Sequence, residues 1–234
     1  MSKSFEAIAW VDTPIGVFDL RRRSVPTADG TESVTEVLVN GELLMSSRNT
    51  VSERALATRA LALHRGGGDL SVLVGGLGLG YTAHAALQDP RVTHVRVVDR
   101  IPVLFEWLRA GHLPLSAELS GDSRFAMIES DVYADLLGEP ARDTAFDAIL
   151  IDVDHTPKER LDQSSAPFYT ADGQRRVARH LAPGGVLAVW SAGDDDEFAA
   201  VLSEVYEHAA RERVEWEDDY LGEMADVLFL ARNE

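Results

Sequence analysis

The stretch Leu70-Ser-Val-Leu-Val-Gly-Gly-Leu-Gly-Leu-Gly80 is an apolar run that breaks into glycines, and a later apolar run ends at Asp99. Residues 70–74 have the make-up of a strand buried on both faces. Gly75, Gly76, Gly78 and Gly80 then permit the tight turn and close backbone approach of a ligand-cradling loop. Asp99 lies 19 positions beyond Gly80, where a carboxylate at the end of the next strand can accept hydrogen bonds from ribose hydroxyls. Taken alone, such a glycine loop suits a dinucleotide as well as a single nucleoside.

Working outward, strands and helices alternate. Strands are predicted over 70–74, 94–98, 126–128, 146–151 and 186–190, with helices over 81–87, 102–110, 133–137 and 173–181, which implies a mostly parallel sheet covered by helices on both faces. A longer acidic helix is predicted over 195–212. Two further strands follow, 214–217 and 226–231, joined by a short polar segment around 220–223. So short a connection cannot make a parallel crossover, so these two pair antiparallel as a terminal hairpin. A hairpin closing five parallel strands departs from a six-strand dinucleotide sheet.

Upstream, residues 5–10, 16–22 and 34–39 read as strands separated by Asp12-Thr-Pro-Ile-Gly16 and a polar stretch over 27–33. Asn40-Gly41 supplies a turn. Thr50-Val-Ser-Glu53 has capping-box spacing, and Leu56, Ala60 and Leu63 share a helical face before Gly66-Gly-Gly68. The expected organisation is a small N-terminal β appendage (1–48), a linking helical segment (49–68) and an α/β domain (69–234).

The 234 residues are 45% hydrophobic, and no apolar run approaches the roughly 20 residues of a membrane span. A soluble protein without membrane contact is expected, and the start Met1-Ser-Lys-Ser-Phe-Glu lacks a signal-peptide core. The absence of cysteine excludes disulfides and thiolate metal sites, which makes a cytoplasmic setting the expectation. With 22 basic against 39 acidic residues, the net charge of −17 argues against nucleic acid and favours a small neutral or cationic substrate. The histidines show no metal-ligand spacing, so no metal is expected. Asp194-Asp-Asp-Glu197 reads as acids at a helix start, where they favour the positive end of its dipole. Arg21-Arg-Arg23 reads as a solvated strand end, and Trp107, Trp190 and Trp216 as core or pocket wall.

Ligands of open parallel sheets lie beyond the carboxyl ends of the strands. The residues in those positions are Gly75 to Gly80, Asp99, Asp131-Val132, Asp152-Val-Asp-His155 and Ser191. His155 is suited either to general-base work or to holding its loop, and Asp154 either to catalysis or to orienting that ring.

Together, Gly76-x-Gly78-x-Gly80, Asp99, Asp131, Phe146-Asp-Ala-Ile-Leu-Ile-Asp152 and Leu181-Ala-Pro-Gly-Gly185 resemble the class I S-adenosylmethionine-dependent methyltransferase fold, and within it the spermidine synthase family of aminopropyltransferases. The likeness extends over most of the chain, including the β appendage, Asn40-Gly41-Glu42 and Phe168-Tyr169-Thr170. It implies a Rossmann-like sheet of seven strands and an adenosyl sulfonium co-substrate, S-adenosylmethionine or its decarboxylated form. It further implies that Gly75, Gly76, Gly78 and Gly80 pass the sugar and tail, Asp99 holds the ribose, Asp131 and Val132 meet the adenine, and Asp152 lies beside the sulfonium. Asp152, Asp154 and His155 become the catalytic candidates, and a homodimer built through the appendage is the implied assembly.

The chain departs from that pattern at the acceptor end. His155 occupies the place of the family's amine-activating aspartate, with Asp154 one residue early. Leu44-Met45, Thr50-Val51 and Glu53-Arg-Ala55 stand where the family has a glutamine, an Asp-Glu pair and a Tyr-His-Glu trio. Leu77 and Leu79 replace a glycine and an aspartate of the loop. Glu42, Glu53 and Asp154 remain as groups able to recognise an amine. The expected activity is therefore transfer of an aminopropyl or methyl group to a small amine or other nucleophile, the alternatives being a methyltransferase with a non-polyamine acceptor and a non-catalytic binding subunit.

Overall fold

Valine and isoleucine in short apolar runs favour pleated, doubly covered strands, and in the computed structural model they form the centre of a seven-stranded sheet. The structure describes residues 5–13, 15–27, 30–141, 145–218 and 222–234. Pro14 of the first expected turn, residues 28–29 of the polar stretch and Tyr220 of the hairpin connection lie outside them.

Four antiparallel strands come first: β1 (Phe5–Thr13), β2 (Gly16–Thr27), β3 (Gly30–Val39) and β4 (Glu42–Ser46), in the order β1-β2-β3-β4. Helix α1 (Val51–Leu63) leads into β5 (Leu70–Gly75), α2 (Tyr81–Leu87), β6 (Val92–Asp99), α3 (Pro102–Arg109), α4 (Ser116–Gly121), β7 (Phe125–Glu129), α5 (Val132–Leu137) and β8 (Phe146–Ile151). A 3-10 segment (Gln163–Tyr169), α6 (Ala171–Ala178), β9 (Leu181–Ser191), α7 (Asp196–Val205), β10 (His208–Asp218) and β11 (Gly222–Arg232) complete the chain. The large sheet runs β10-β11-β9-β8-β5-β6-β7, parallel from β7 to β9 and antiparallel at β11 and β10. This is the expected mostly parallel α/β sheet with a closing hairpin and an N-terminal β appendage. Chain order reverses between β5 and β8, and a crevice opens there.

Several local expectations are corrected. The helix predicted over 195–212 stops at Val205, and 208–218 is strand. Its register with β11 and the inward placing of Val214 between exposed Arg213 and Glu215 show period-two burial, and sheet pairing overrides the helix propensity of Ala209-Ala-Arg-Glu212. The Thr50 side chain does not cap α1; its Oγ1 accepts from Arg54 Nε at 3.1 Å, and Glu53 turns away from the helix end. Arg21 and Arg23 are not a solvated strand end, because both pair with Glu36, at 2.7 and 2.6 Å, and Glu36 is only 2% exposed. Asp195 does cap α7, accepting from Phe198 N at 3.0 Å, as its position before the helix predicts. Strand β4, helix α4 and the 3-10 segment had no counterpart in the sequence reading.

One apolar core runs from the appendage (Phe18, Leu20, Val37) through α1 (Leu56, Ala60, Leu61) to the sheet (Val72, Val74, Val97). A second fills the opposite face under α5, α6 and α7. Among the described residues no helix is long and apolar enough to cross a membrane.

Candidate active site

A cavity of about 770 Å³ opens at the carboxyl ends of β5, β6 and β8, between the glycine loop, α1, β4 and the terminal hairpin. Its floor is the loop after β5. A Cβ on Gly76 (φ +92°) would lie 2.2 Å from the carbonyl oxygen of Asp152, so this glycine lets two strand ends meet. A Cβ on Gly80 (φ +93°) would lie 2.5 Å from Leu119 Cδ1. These glycines thus answer to neighbouring protein as well as to any ligand. Gly78 borders Met45, and Gly75 backs onto the buried Val132 side chain.

At one end of the cavity stands Asp99. Its carboxylate accepts from Leu77 N (2.7 Å) and Ile101 N (2.8 Å), which ties the glycine loop to the start of α3. Burial raises its pKa, with the two backbone N–H groups opposing. Asp131 caps α5, its Oδ1 accepting from Tyr133 N and Ala134 N at 2.9 and 3.2 Å. Its Oδ2 lies 4.0 Å from Arg100 Nη1, which also reaches Asp162 at 3.2 Å. Arg100 thereby links this end to the loop after β8.

Asp152 lies deeper, at the end of β8. Its Oδ2 accepts from Thr82 Oγ1 at 2.8 Å, and the same hydroxyl lies 3.3 Å from the Glu53 carbonyl oxygen. Burial pushes Asp152 up to about 6, with a further rise from Asp226. Glu53, at the start of α1, is pushed up to about 7, first by burial and then by the negative charge of Asp152. A line of hydrogen bonds holds it: Trp190 Nε1 donates to Ser52 Oγ at 3.0 Å, and Ser52 Oγ donates to Glu53 Oε2 at 3.4 Å. Asp226, on β11 and 7% exposed, accepts from Trp216 Nε1 at 2.9 Å. Glu53, Asp152 and Asp226 therefore face one compartment walled by Tyr81, Trp190 and Trp216, and the charge of Asp226 adds to burial in raising both Glu53 and Asp152. Among the described residues no group of acids or histidines is disposed to hold a metal ion. The arrangement suits an organic cation, because carboxylates and aromatic faces both attract one.

Asp154 and His155 diverge. Asp154 is 3% exposed and accepts from Tyr133 Oη (2.8 Å), Tyr169 Oη (3.0 Å), Ser165 Oγ (3.0 Å) and Leu161 N (2.8 Å). These bonds fold the loop 154–165 onto α5 and the 3-10 segment, and His155 is not among the partners of Asp154. The His155 side chain is 64% exposed, 3.9 Å from Glu159 and edge-on to Trp190 at the cavity rim. Glu42 is exposed on β4 and outside the cavity wall.

Asp99, Asp131, Val132, Asp152 and the loop glycines 76 and 78 border one cavity. Asp226 escaped the sequence reading. Its one signal there is an acid directly before the apolar run Val227-Leu-Phe-Leu-Ala231.

No protein-family model and no curated protein sequence matches the chain. Solved structures do. The chain is similar to the spermidine synthase from Thermotoga maritima (15% identity, TM-score 0.71, covering 97% of this chain and 72% of that one). It is also similar to a spermidine synthase in complex with the transition state analogue AdoDATO (16%, 0.74, 97% and 74%). A probable spermidine synthase from Corynebacterium glutamicum ATCC 13032 matches at 18% identity (0.65, 97% and 80%). The fold is spermidine synthase-like.

Proposed function

We propose that the protein is an aminopropyl transferase that takes decarboxylated S-adenosylmethionine as donor and an amine as acceptor. The observation that carries this reading is the polarity of the cavity. One end offers Asp99 and Asp131 to a nucleoside, and the other offers Glu53, Asp152 and Asp226 to positive charge. A decarboxylated donor is cationic at both its sulfonium and its terminal amine. S-adenosylmethionine would bring its carboxylate to the same three acids and be repelled. The fold shared with a spermidine synthase that binds a transition state analogue supports the reading.

In this account Asp99 takes the ribose hydroxyls with the lone pairs left by Leu77 and Ile101, Asp131 and Val132 border the adenine, and the glycine loop passes beneath the sugar. The sulfonium is already an activated electrophile, so alignment supplies most of the catalysis. The neutral acceptor nitrogen attacks the carbon beside sulfur; the C–N bond forms as the C–S bond breaks, and its electron pair stays on sulfur in methylthioadenosine. Before attack the acceptor ammonium must lose a proton. Asp152 and Glu53, held near neutral pKa, are suited to receive it. Asp154 holds the loop that carries His155, and His155 borders the entrance.

The test is turnover of decarboxylated S-adenosylmethionine with a panel of primary amines, read by mass spectrometry. Methylthioadenosine together with an aminopropylated amine is expected. S-adenosylhomocysteine and a methylated product from S-adenosylmethionine would establish methyl transfer instead.

A further inference from the structure

Part of the cavity wall is apolar. Strand β4 contributes Leu43, Leu44 and Met45, and the hairpin contributes Met224 and Ala225. Leu43 is 58% exposed although it lines the cavity, an arrangement that leaves an apolar surface with nothing against it. Beyond this strip Arg21 and Arg23 share the single carboxylate of Glu36, so the trio keeps one net positive charge, and Arg23 and Glu36 border the cavity. Glu42 of the same sheet is exposed and outside the wall.

We infer that the acceptor is a monoamine with an apolar body: its single ammonium sits among Glu53, Asp152 and Asp226, and its hydrocarbon lies along Leu43, Leu44, Met45 and Met224. The inference rests on the aminopropyl-transfer reading and narrows its acceptor. A diamine needs a second carboxylate at its far end. Here that end meets methionine and leucine first and the Arg21–Arg23–Glu36 trio next, so a second ammonium loses its hydration and gains only like charge. An alkyl chain gains from the same strip, because each buried methylene strengthens binding up to about fourfold.

Calorimetry tests this with and without saturating methylthioadenosine, using butylamine, hexylamine, octylamine and 1,6-diaminohexane as probes. Hexylamine is expected to bind at least tenfold more tightly than 1,6-diaminohexane, with affinity rising from butyl to octyl. Glu53→Gln should weaken hexylamine at least tenfold. Leu43→Glu, at an exposed position that tolerates a charge, should bring 1,6-diaminohexane up by about tenfold and leave methylthioadenosine binding unchanged. Equal or tighter binding of the diamine by the unaltered protein overturns the inference, as does binding of methylthioadenosine with no binding of any monoamine. Failure of methylthioadenosine itself to bind would instead overturn the donor assignment, whatever the amines do.

Discussion

Glu53 and Asp152 carry the electrostatics of this site because both are buried and the charge of Asp226 acts on each. A cationic ligand needs both ionised, and they ionise between about pH 6 and 7. Affinity for decarboxylated S-adenosylmethionine should therefore rise about tenfold from pH 5.5 to 7.5, while that for uncharged methylthioadenosine stays flat. Glu53→Gln should flatten the first curve. The same pair works against folding. Their folded-state pKa values lie above the unfolded ones, so the folded state binds more protons between pH 4 and 7 and loses stability relative to the unfolded chain as pH rises through that window. Asp152→Asn should accordingly raise the melting temperature of the ligand-free protein at pH 8 by a few degrees, equivalent to about 1–2 kcal/mol; an unchanged or lower value would show that the acid is not strained. Gly76→Ala should act oppositely, since its Cβ meets the Asp152 carbonyl, and should cost several kcal/mol in urea unfolding as well as ligand binding.

At the scale of elements, the loop after β8 depends on one carboxylate. Asp154→Ala leaves two tyrosine hydroxyls and the Leu161 backbone N–H without this acceptor, while Ser165 Oγ keeps the Asp162 carbonyl at 2.8 Å, and the expected loss is about 3 kcal/mol in denaturant unfolding. His155→Ala, on the exposed rim, should leave stability unchanged. The parallel strands and their glycine loop were legible because apolar runs of four to six residues and glycine punctuation are local signals. Strand β10 was not, because Ala209-Ala-Arg-Glu212 favours helix locally and only its pairing with β11 makes it strand. Its exposed Arg211, Arg213, Glu215 and Glu217 also keep this sheet edge from pairing further. Glu53 was legible as a group able to meet an amine, and the fold sets it beside Asp152. Asp226 needed the hairpin to bring it to the cavity. The carboxylates at strand termini, Asp99, Asp131 and Asp152, are thus readable in sequence, and Asp226, which reaches the cavity only through the hairpin, is not.

For the molecule as a whole, the appendage and the main sheet share a core through α1, with Phe18, Leu20 and Val37 in the same cluster as Leu56 and Val74. Calorimetric unfolding should show one transition for both parts. Two resolved transitions would mean that α1 does not couple them. The net charge of −17 adds a long-range attraction for a cationic donor, so its association rate should fall with ionic strength while that of methylthioadenosine does not. The measurement that bears most directly on the central claim is calorimetric titration of the protein at pH 7.5 with decarboxylated S-adenosylmethionine, S-adenosylmethionine and methylthioadenosine. The account predicts saturable binding of the decarboxylated sulfonium at least tenfold tighter than S-adenosylmethionine, with all three abolished by Asp99→Ala. Absence of binding by all three, or tighter binding of S-adenosylmethionine than of its decarboxylated form, would contradict it.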